Sequence, residues 1–251
     1  MKRFVSVDIG NSSAKVAVYE DGSLREWSLL RAPLLEVMAR VESLDADAVG
    51  YCTTRNLSPE EEAETLRQGW WQLDPQKSLP IKIDYLTPET LGADRVAAAA
   101  GAAAEFPGEA VLVVDCGTAM TLDFVSADAE FKGGNIAPGL DMRLRALHDF
   151  TSRLPKVLPL GPLPELGYDT DTAIRSGAIR GAIYEIIGTL RYLYREYDCR
   201  RLLLTGADDV IIDNPLKKEL SLSGMNDIEV SRIVELTSRG IMACYLYENE
   251  K

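Results

Sequence analysis

The stretch VLVVDCGTAMTLDFV, residues 111–125, sets an aspartate and a glycine at the end of an apolar run and follows them with small hydroxylated residues where a helix would be usual. FVSVDIGNSSAKVAVYEDG, residues 4–22, has the same build about a hundred residues earlier. In each, a strand-like segment enters an Asp-x-Gly turn and a second strand leaves it. The distance to the next turn repeats as well: Asp8 is followed by Glu20-Asp21-Gly22, and Asp115 by Ala127-Asp128. A supersecondary unit that recurs at matched positions argues for two related lobes. PGEA at Pro107–Ala110 is the best break between them, so the lobes are expected over 1–108 and 109–251.

Outward from these turns the pattern is α/β. In the first lobe, strands are expected at 4–7, 14–19 and 24–28, with turn chemistry at Asp8–Asn11, a helix over 33–44 and a buried strand over 47–54. Ser58, Pro59 and Glu61 form a helix-start signature, so the glutamates after Pro59 serve the helix dipole rather than a metal. A strand is expected within 79–87 and an Ala-rich helix over 94–106. The second lobe repeats strand 110–114, turn Asp115–Thr118 and strand 120–125, with a further strand running into Gly133-Gly134. A helix over 139–154, a Pro-rich loop and a long helix over 172–197 follow. Residues 200–209 read as strand then turn, and 230–247 contains the closing helix.

Composition narrows the chemistry. At 251 residues and 46% hydrophobic content the chain supports a sizeable core, and no apolar run approaches the roughly 20 residues of a membrane helix. The start, MKRFVSVDIGN, passes straight into a strand and a polar turn, so a cytoplasmic protein is expected. Lys and Arg total 27 against 39 Asp and Glu, a net charge of −12, which argues against nucleic acid or an anionic membrane as partner. A bound polyphosphate would then need backbone amides or a cation. Cys52, Cys116, Cys199 and Cys244 are widely spaced and read as buried or idle thiols; His148 alone rules out a multi-histidine metal site and reads as a helix-end or surface residue.

An Asp-x-Gly at a strand end puts a carboxylate at the mouth of a sheet, while the glycine lets the backbone turn and present amides to a ligand. In DIGNSSAK, Asn11, Ser12 and Ser13 add donors and Lys15 a positive charge; in DCGTAMT, Thr118 and Thr121 add hydroxyls. Two such turns facing each other across a cleft are expected to hold the phosphates of a nucleotide, with Asp8 and Asp115 anchoring cations. In LGADR, Asp94 and Arg95 fall in the first turn of the Ala-rich helix. Asp94 is there either a cap or a general base on a substrate hydroxyl, and Arg95 either a surface cation or an anion guide. Residues 131–140, rich in glycine, are either a loop near ligand or a tight connection. The Walker Gly-x-x-x-x-Gly-Lys-Ser/Thr, the Gly-x-Gly-x-x-Gly fingerprint and the Gly-x-Ser-x-Gly elbow are absent from the sequence.

Taken in order, DIGNSSAK, LGADR, VVDCGTAMTLD, GGNIAPGL, TSRLPKV and GYDTDTAIRSG resemble the motif set of type III pantothenate kinases over about residues 4–206. That resemblance implies two tandem ribonuclease H-like lobes of the actin-like ATPase kind, each a mixed sheet with flanking helices. It implies ATP-dependent phosphorylation of pantothenate to 4′-phosphopantothenate, the first step toward coenzyme A. It assigns the phosphate loop to Asp8, Ile9, Gly10, Asn11, Ser12, Ser13, Ala14 and Lys15, with Asp8 on the Mg2+ of the nucleotide. The substrate loop falls on Gly92, Ala93, Asp94 and Arg95, with Asp94 as base; Tyr85 and Thr170 line the substrate pocket. Asp115 is assigned a monovalent cation, K+ or NH4+, and Thr118 a contact to ATP. A homodimer is implied, with the substrate pocket against the interface; the small residues Ser176, Gly177 and Gly181 suit either helix packing between subunits or an internal core. Two positions depart from the family pattern: Asn11-Ser12 stands where Asn-Thr is common, and Ala207 where a second glycine is frequent, which leaves the adenine side open. Two other readings of the residues are a related kinase for another small hydroxylated substrate and a non-catalytic nucleotide-binding accessory protein.

Overall fold

The computed structural model describes residues 1–11 and 13–249. Two compact units emerge: Met1–Gly108 with Ala129–Phe131 and Glu235–Lys251, and Glu109–Asp128 with Lys132–Val234.

In the first unit β1 (Arg3–Ile9) is buried from Phe4 through Ile9. A run with no exposed face belongs in the middle of a sheet, and the strand order is β3-β2-β1-β4-β5. β2 (Ala14–Glu20) pairs antiparallel with β1 and with β3 (Ser23–Leu30), whose exposed Arg25 and Glu26 suit an edge. On the other side β4 (Ala48–Thr53) runs parallel to β1, and β5 (Trp71–Gln72) parallel to β4. The carboxyl ends of β1, β4 and β5 therefore share one edge, the edge where open α/β sheets bind ligands. Helix α1 (Leu34–Glu42) lays Leu34, Val37, Met38 and Val41 on this sheet. Helix α2 (Pro59–Arg67) starts with a complete capping box between Ser58 and Glu61. The short strand β6 (Lys82–Ile83) pairs with Glu130 and Phe131, and α3 (Ala93–Glu105) buries Val96 through Ala102.

The second unit repeats the plan. Strand β7 (Val111–Cys116) pairs antiparallel with β8 (Ala119–Val125), which neighbours β9 (Glu130–Pro138). On its other side β7 runs parallel to β10 (Arg201–Thr205), and β10 parallel to β11 (Glu229–Arg232). Leaving aside β6 beside β9, the order β9-β8-β7-β10-β11 thus matches β3-β2-β1-β4-β5. Helices α4 (Leu140–Asp149), α5 (Thr170–Tyr197) and α6 (Asp209–Leu222) accompany this sheet. Along α5 the i, i+3, i+4 run Ile179, Ile183, Ile186 and Leu190 joins Leu112, Val114, Leu202 and Leu204 in one core. Each such side chain contributes roughly 2 kcal/mol on leaving water.

The last helix, α7 (Leu236–Asn249), returns to the first unit and packs against α3. The crossing is close because of Gly240: a β-carbon there would run into the Ala97 carbonyl. Among the described residues no helix is long and apolar enough to cross a membrane.

Several elements differ from the sequence reading. Asp8 and Ile9, and likewise Asp115 and Cys116, belong to their strands, because β2 and β8 pair with them to the last residue. Of 79–87 only Lys82 and Ile83 are strand, since their partner is just Glu130 and Phe131. Glycine-rich 133–138 is the end of β9 rather than a loop. Helix α4 stops at Asp149 instead of 154; Thr151 Oγ donates to the Leu147 carbonyl at 2.6 Å, and Pro155 follows. Helix α5 begins two residues earlier than read, at Thr170, behind the Asp169 cap. Helix α6 and β11 have no counterpart in that reading.

Candidate active site

Asp8 is the penultimate residue of β1, aligned with Lys15 on β2 and Cys52 on β4. The register brings three side chains together. Lys15 Nζ lies 3.1 Å from Asp8 Oδ2, and the Cys52 thiol donates to Asp8 Oδ1 at 3.6 Å. Cys52 is fully buried, and burial first, then the charges of Asp8 and Asp94, pushes its thiol well above the ordinary range. The thiol therefore stays protonated and remains a donor. Asp94 is within electrostatic reach of the same sulfur.

Beyond Asp8 the turn is closed by Gly10 N–H donating to the Ser13 carbonyl at 2.9 Å. Asn11 is exposed, Ser13 and Lys15 are half-buried and Ala14 is buried; Ser12 lies outside the described residues. Ile9, Gly10, Asn11 and Ser13 line a cavity of about 340 Å³. Mg2+ is commonly held by one or two carboxylates together with substrate phosphates. Asp8 beside a turn of backbone amides fits that requirement, and among the described residues no cluster of three or more metal-ligating side chains is present.

The substrate-loop residues open α3. Gly92 is its cap position and makes no side-chain cap bond, so Asp94 is not the cap that one reading allowed; its Oδ1 accepts the Arg95 N–H at 2.9 Å. Arg95 is not a surface cation: it is 7% exposed, with its guanidinium 5.5 Å from the Phe131 ring centre. Tyr85 meets the same ring edge-on at 5.9 Å. Phe131, fully buried, is thus the shared wall that brings Tyr85 and Arg95 together. Sequence reasoning missed it, because β9 reaches this place only through its ladder to β6. Gly92 and Ala93 line a further cavity of about 700 Å³.

In the second unit Asp115 holds the place in β7 that Asp8 holds in β1, with Thr121 and Thr205 aligned on its two neighbours. Thr118 is exposed at the turn, and Thr170 is exposed at the first position of α5. Gly206 sits at φ +92°, where a β-carbon would come within 2.6 Å of the Cys116 backbone. That is the glycine this turn requires. Ala207, the departure from the family pattern, is exposed and has no positive φ. Asp208 has its carboxyl raised by burial and by Asp141 and Asp209, and Asp209 is paired with Arg232 at 2.8 Å. All four cysteines are buried and free of disulfides, and the buried Cys52 thiol donates to Asp8. His148 stands in the last turn of α4, exposed, 2.8 Å from the Leu154 carbonyl.

Two units of one strand order, each opening on a strand that ends in Asp-x-Gly, make up an α/β fold of two tandem lobes of the actin-like kind. Solved structures agree on the fold. A Campylobacter jejuni Baf family protein covers 98% of this chain and 98% of its own at a TM-score of 0.64 and 21% identity. A ROK family protein from Streptococcus pneumoniae covers 99% of both at a TM-score of 0.50 and 10% identity. Within that class, a sequence model of type III pantothenate kinases matches residues 4–191. The type III pantothenate kinase of Bacteroides fragilis is 40% identical over 231 residues, 88% of this chain and 95% of that one. The chain belongs to the type III pantothenate kinase family.

Proposed function

We propose that the protein transfers the γ-phosphoryl group of ATP to the primary hydroxyl of pantothenate, giving 4′-phosphopantothenate and ADP, the first step of coenzyme A synthesis. The observation that carries this reading is the contact of Asp8 with Lys15 and with the buried Cys52 thiol at the carboxyl edge of the first sheet, with Asp94 in electrostatic reach of that thiol. It places the residue assigned to the nucleotide's cation and the residue assigned to the substrate hydroxyl in one electrostatic neighbourhood.

In the proposed reaction Asp94 accepts the hydroxyl proton, the substrate oxygen forms its bond to phosphorus, and the bond to the ADP oxygen breaks with its electron pair leaving on ADP. Phosphoryl transfer depends mainly on positioning and charge stabilisation. Lys15 and Cys52 fix the Asp8 carboxylate, and the turn from Ile9 to Lys15 offers amides to the phosphates. Bound Mg2+ supplies charge neutralisation at the phosphates; K+ or NH4+ is assigned to Asp115, and Thr118 to ATP. Gly92, Ala93, Arg95, Tyr85 and Thr170 are assigned to pantothenate. A homodimer is supported by exposed Phe150, Leu158, Leu160, Leu166 and Tyr168, an apolar set unusual for a surface facing water. We place the enzyme in the cytoplasm.

The test is pantothenate-dependent ADP release by an Asp94→Asn protein. Loss of a general base costs about 10²–10⁴-fold in turnover; full activity would remove Asp94 from that role.

A further inference from the structure

Among the described residues, Arg55 is the one cation that lines both the cavity beside the phosphate turn and the cavity beside Gly92 and Ala93. It follows the end of β4, on the same sheet edge as Asp8. Its backbone is pinned there: Thr53 Oγ donates to the Arg55 carbonyl at 2.7 Å and accepts its N–H at 3.2 Å. The guanidinium is held just as firmly. Its Nη1 donates to Glu61 Oε2 and to the Asn56 carbonyl, each at 2.9 Å, and its Nη2 donates to Glu61 Oε1 at 2.7 Å.

We propose that Arg55 is a phosphate contact of this site, holding the phosphoryl group as it passes to the substrate hydroxyl. The inference rests on the kinase reading above and adds a residue that neither the sequence motifs nor the family match singles out. Three features carry it. In a chain of net charge −12, a local side-chain cation adds to what backbone amides offer a polyphosphate, and Lys15 is already paired with Asp8. Among the described residues lining the smaller cavity, Arg55 is the one Lys or Arg. The guanidinium has five N–H donors, and its contacts with Glu61 and Asn56 use three; Nε and one Nη2 hydrogen remain, on a side chain 27% exposed. A planar fork with two spare donors, pre-set by a carboxylate behind it, is the arrangement that binds phosphate oxygens with directional bonds. The competing use of Arg55 is purely structural, tethering the start of α2 through Glu61. That use explains the three bonds made. It does not explain why the residue lines both cavities.

The two uses separate in ligand preference, because product carries the phosphate and substrate does not. Binding of 4′-phosphopantothenate and of pantothenate, each with Mg2+ and ADP, is measured by calorimetry on the full chain and on Arg55→Gln and Arg55→Lys. Arg55→Gln is expected to weaken the phosphorylated ligand at least about tenfold while pantothenate moves less than about threefold, with turnover down about 10²-fold or more. Arg55→Lys, which keeps the charge and loses the fork, falls between; should Arg55→Gln not fold, this variant decides. Equal weakening of both ligands, or an unchanged ratio in an active enzyme, would overturn the proposal. Absence of pantothenate-dependent ADP release from the unaltered protein would instead overturn the kinase reading itself, and this inference with it.

Discussion

Glu61 offers the sharpest test of how the first unit holds its site edge, and the perturbation is Glu61→Gln. Its carboxylate accepts two N–H bonds from the Arg55 guanidinium and one from Ser58 N–H, the last at 2.8 Å. Chiefly the Arg55 hydrogen bonds, then the Ser58 backbone bond, hold the Glu61 carboxyl down from 4.5 to about 2. A carboxyl that gives up its proton more readily when folded stabilises the fold above its unfolded value, and that stability is lost as pH falls from about 4.5 toward 2. The whole shift corresponds to roughly 3 kcal/mol at about 1.4 kcal/mol per unit. The side chains of Arg55 and Glu61 are 27% and 13% exposed, so solvent reduces this to about 1–2 kcal/mol. Glutamine still serves in a capping box, so the substitution removes the charge and spares the cap. Urea unfolding at pH 7, 5, 4 and 3, followed by the fluorescence of Trp27, Trp70 and Trp71, all in the first unit, reads the effect. The gap between the two proteins should be about 1–2 kcal/mol at pH 7 and shrink steadily below pH 4.5. A gap that stays constant down to pH 3, or is absent at pH 7, would refute the reasoning.

Other expectations follow from the same geometry. Gly240→Val drives a side chain into the Ala97 carbonyl, so α7 must lift from α3; a loss of at least about 3 kcal/mol is expected in thermal unfolding, and a change within 0.5 kcal/mol would be inconsistent with the close crossing. Gly206→Ala places a methyl against the Cys116 backbone at φ +92°, with about 1–3 kcal/mol of strain beside Asp115; crystal density for the variant should show the 115–118 segment displaced, and an unmoved segment would count against it. Replacement of potassium by sodium is expected to lower turnover without altering the melting temperature, and equal turnover in both salts would argue against the cation assigned to Asp115. Cys52→Ala removes the donor to Asp8 and should raise the Mg·ATP KM while Cys52→Ser restores it; matching values for both variants and the parent would show that the thiol does not position Asp8.

What the sequence made legible was what local chemistry dictates. The twin Asp-x-Gly strand ends, the Ser58–Glu61 capping box and the Ala-rich helix at 93–105 depend on neighbours a few residues away, and each stands in the structure. The matched strand order of the two units extends the repeat that the turns first suggested. The parts not read depend on distant neighbours. Phe131 reaches Tyr85 and Arg95 only through a two-residue ladder, and Cys52 reaches Asp8 only through parallel register between β1 and β4. Helix α6 was obscured by Pro215 in its interior, and β11 by being four residues of mixed polarity. The closing helix was visible, but its company was not: Gly240 in the sequence gives no sign that it meets Ala97. Arg55 belongs to none of the sequence motifs, and its place on the lining of two cavities is what distinguishes it.

The central claim is that this chain moves one phosphoryl group from ATP to the primary hydroxyl of pantothenate. Phosphorus and proton NMR of a reaction containing the protein, ATP, Mg2+, K+ and pantothenate tests it directly. The account predicts one phosphomonoester on the 4′ oxygen for each ADP formed, and none when pantothenate is omitted. ADP formed at the same rate without pantothenate, or phosphate found on another acceptor in its place, would contradict it.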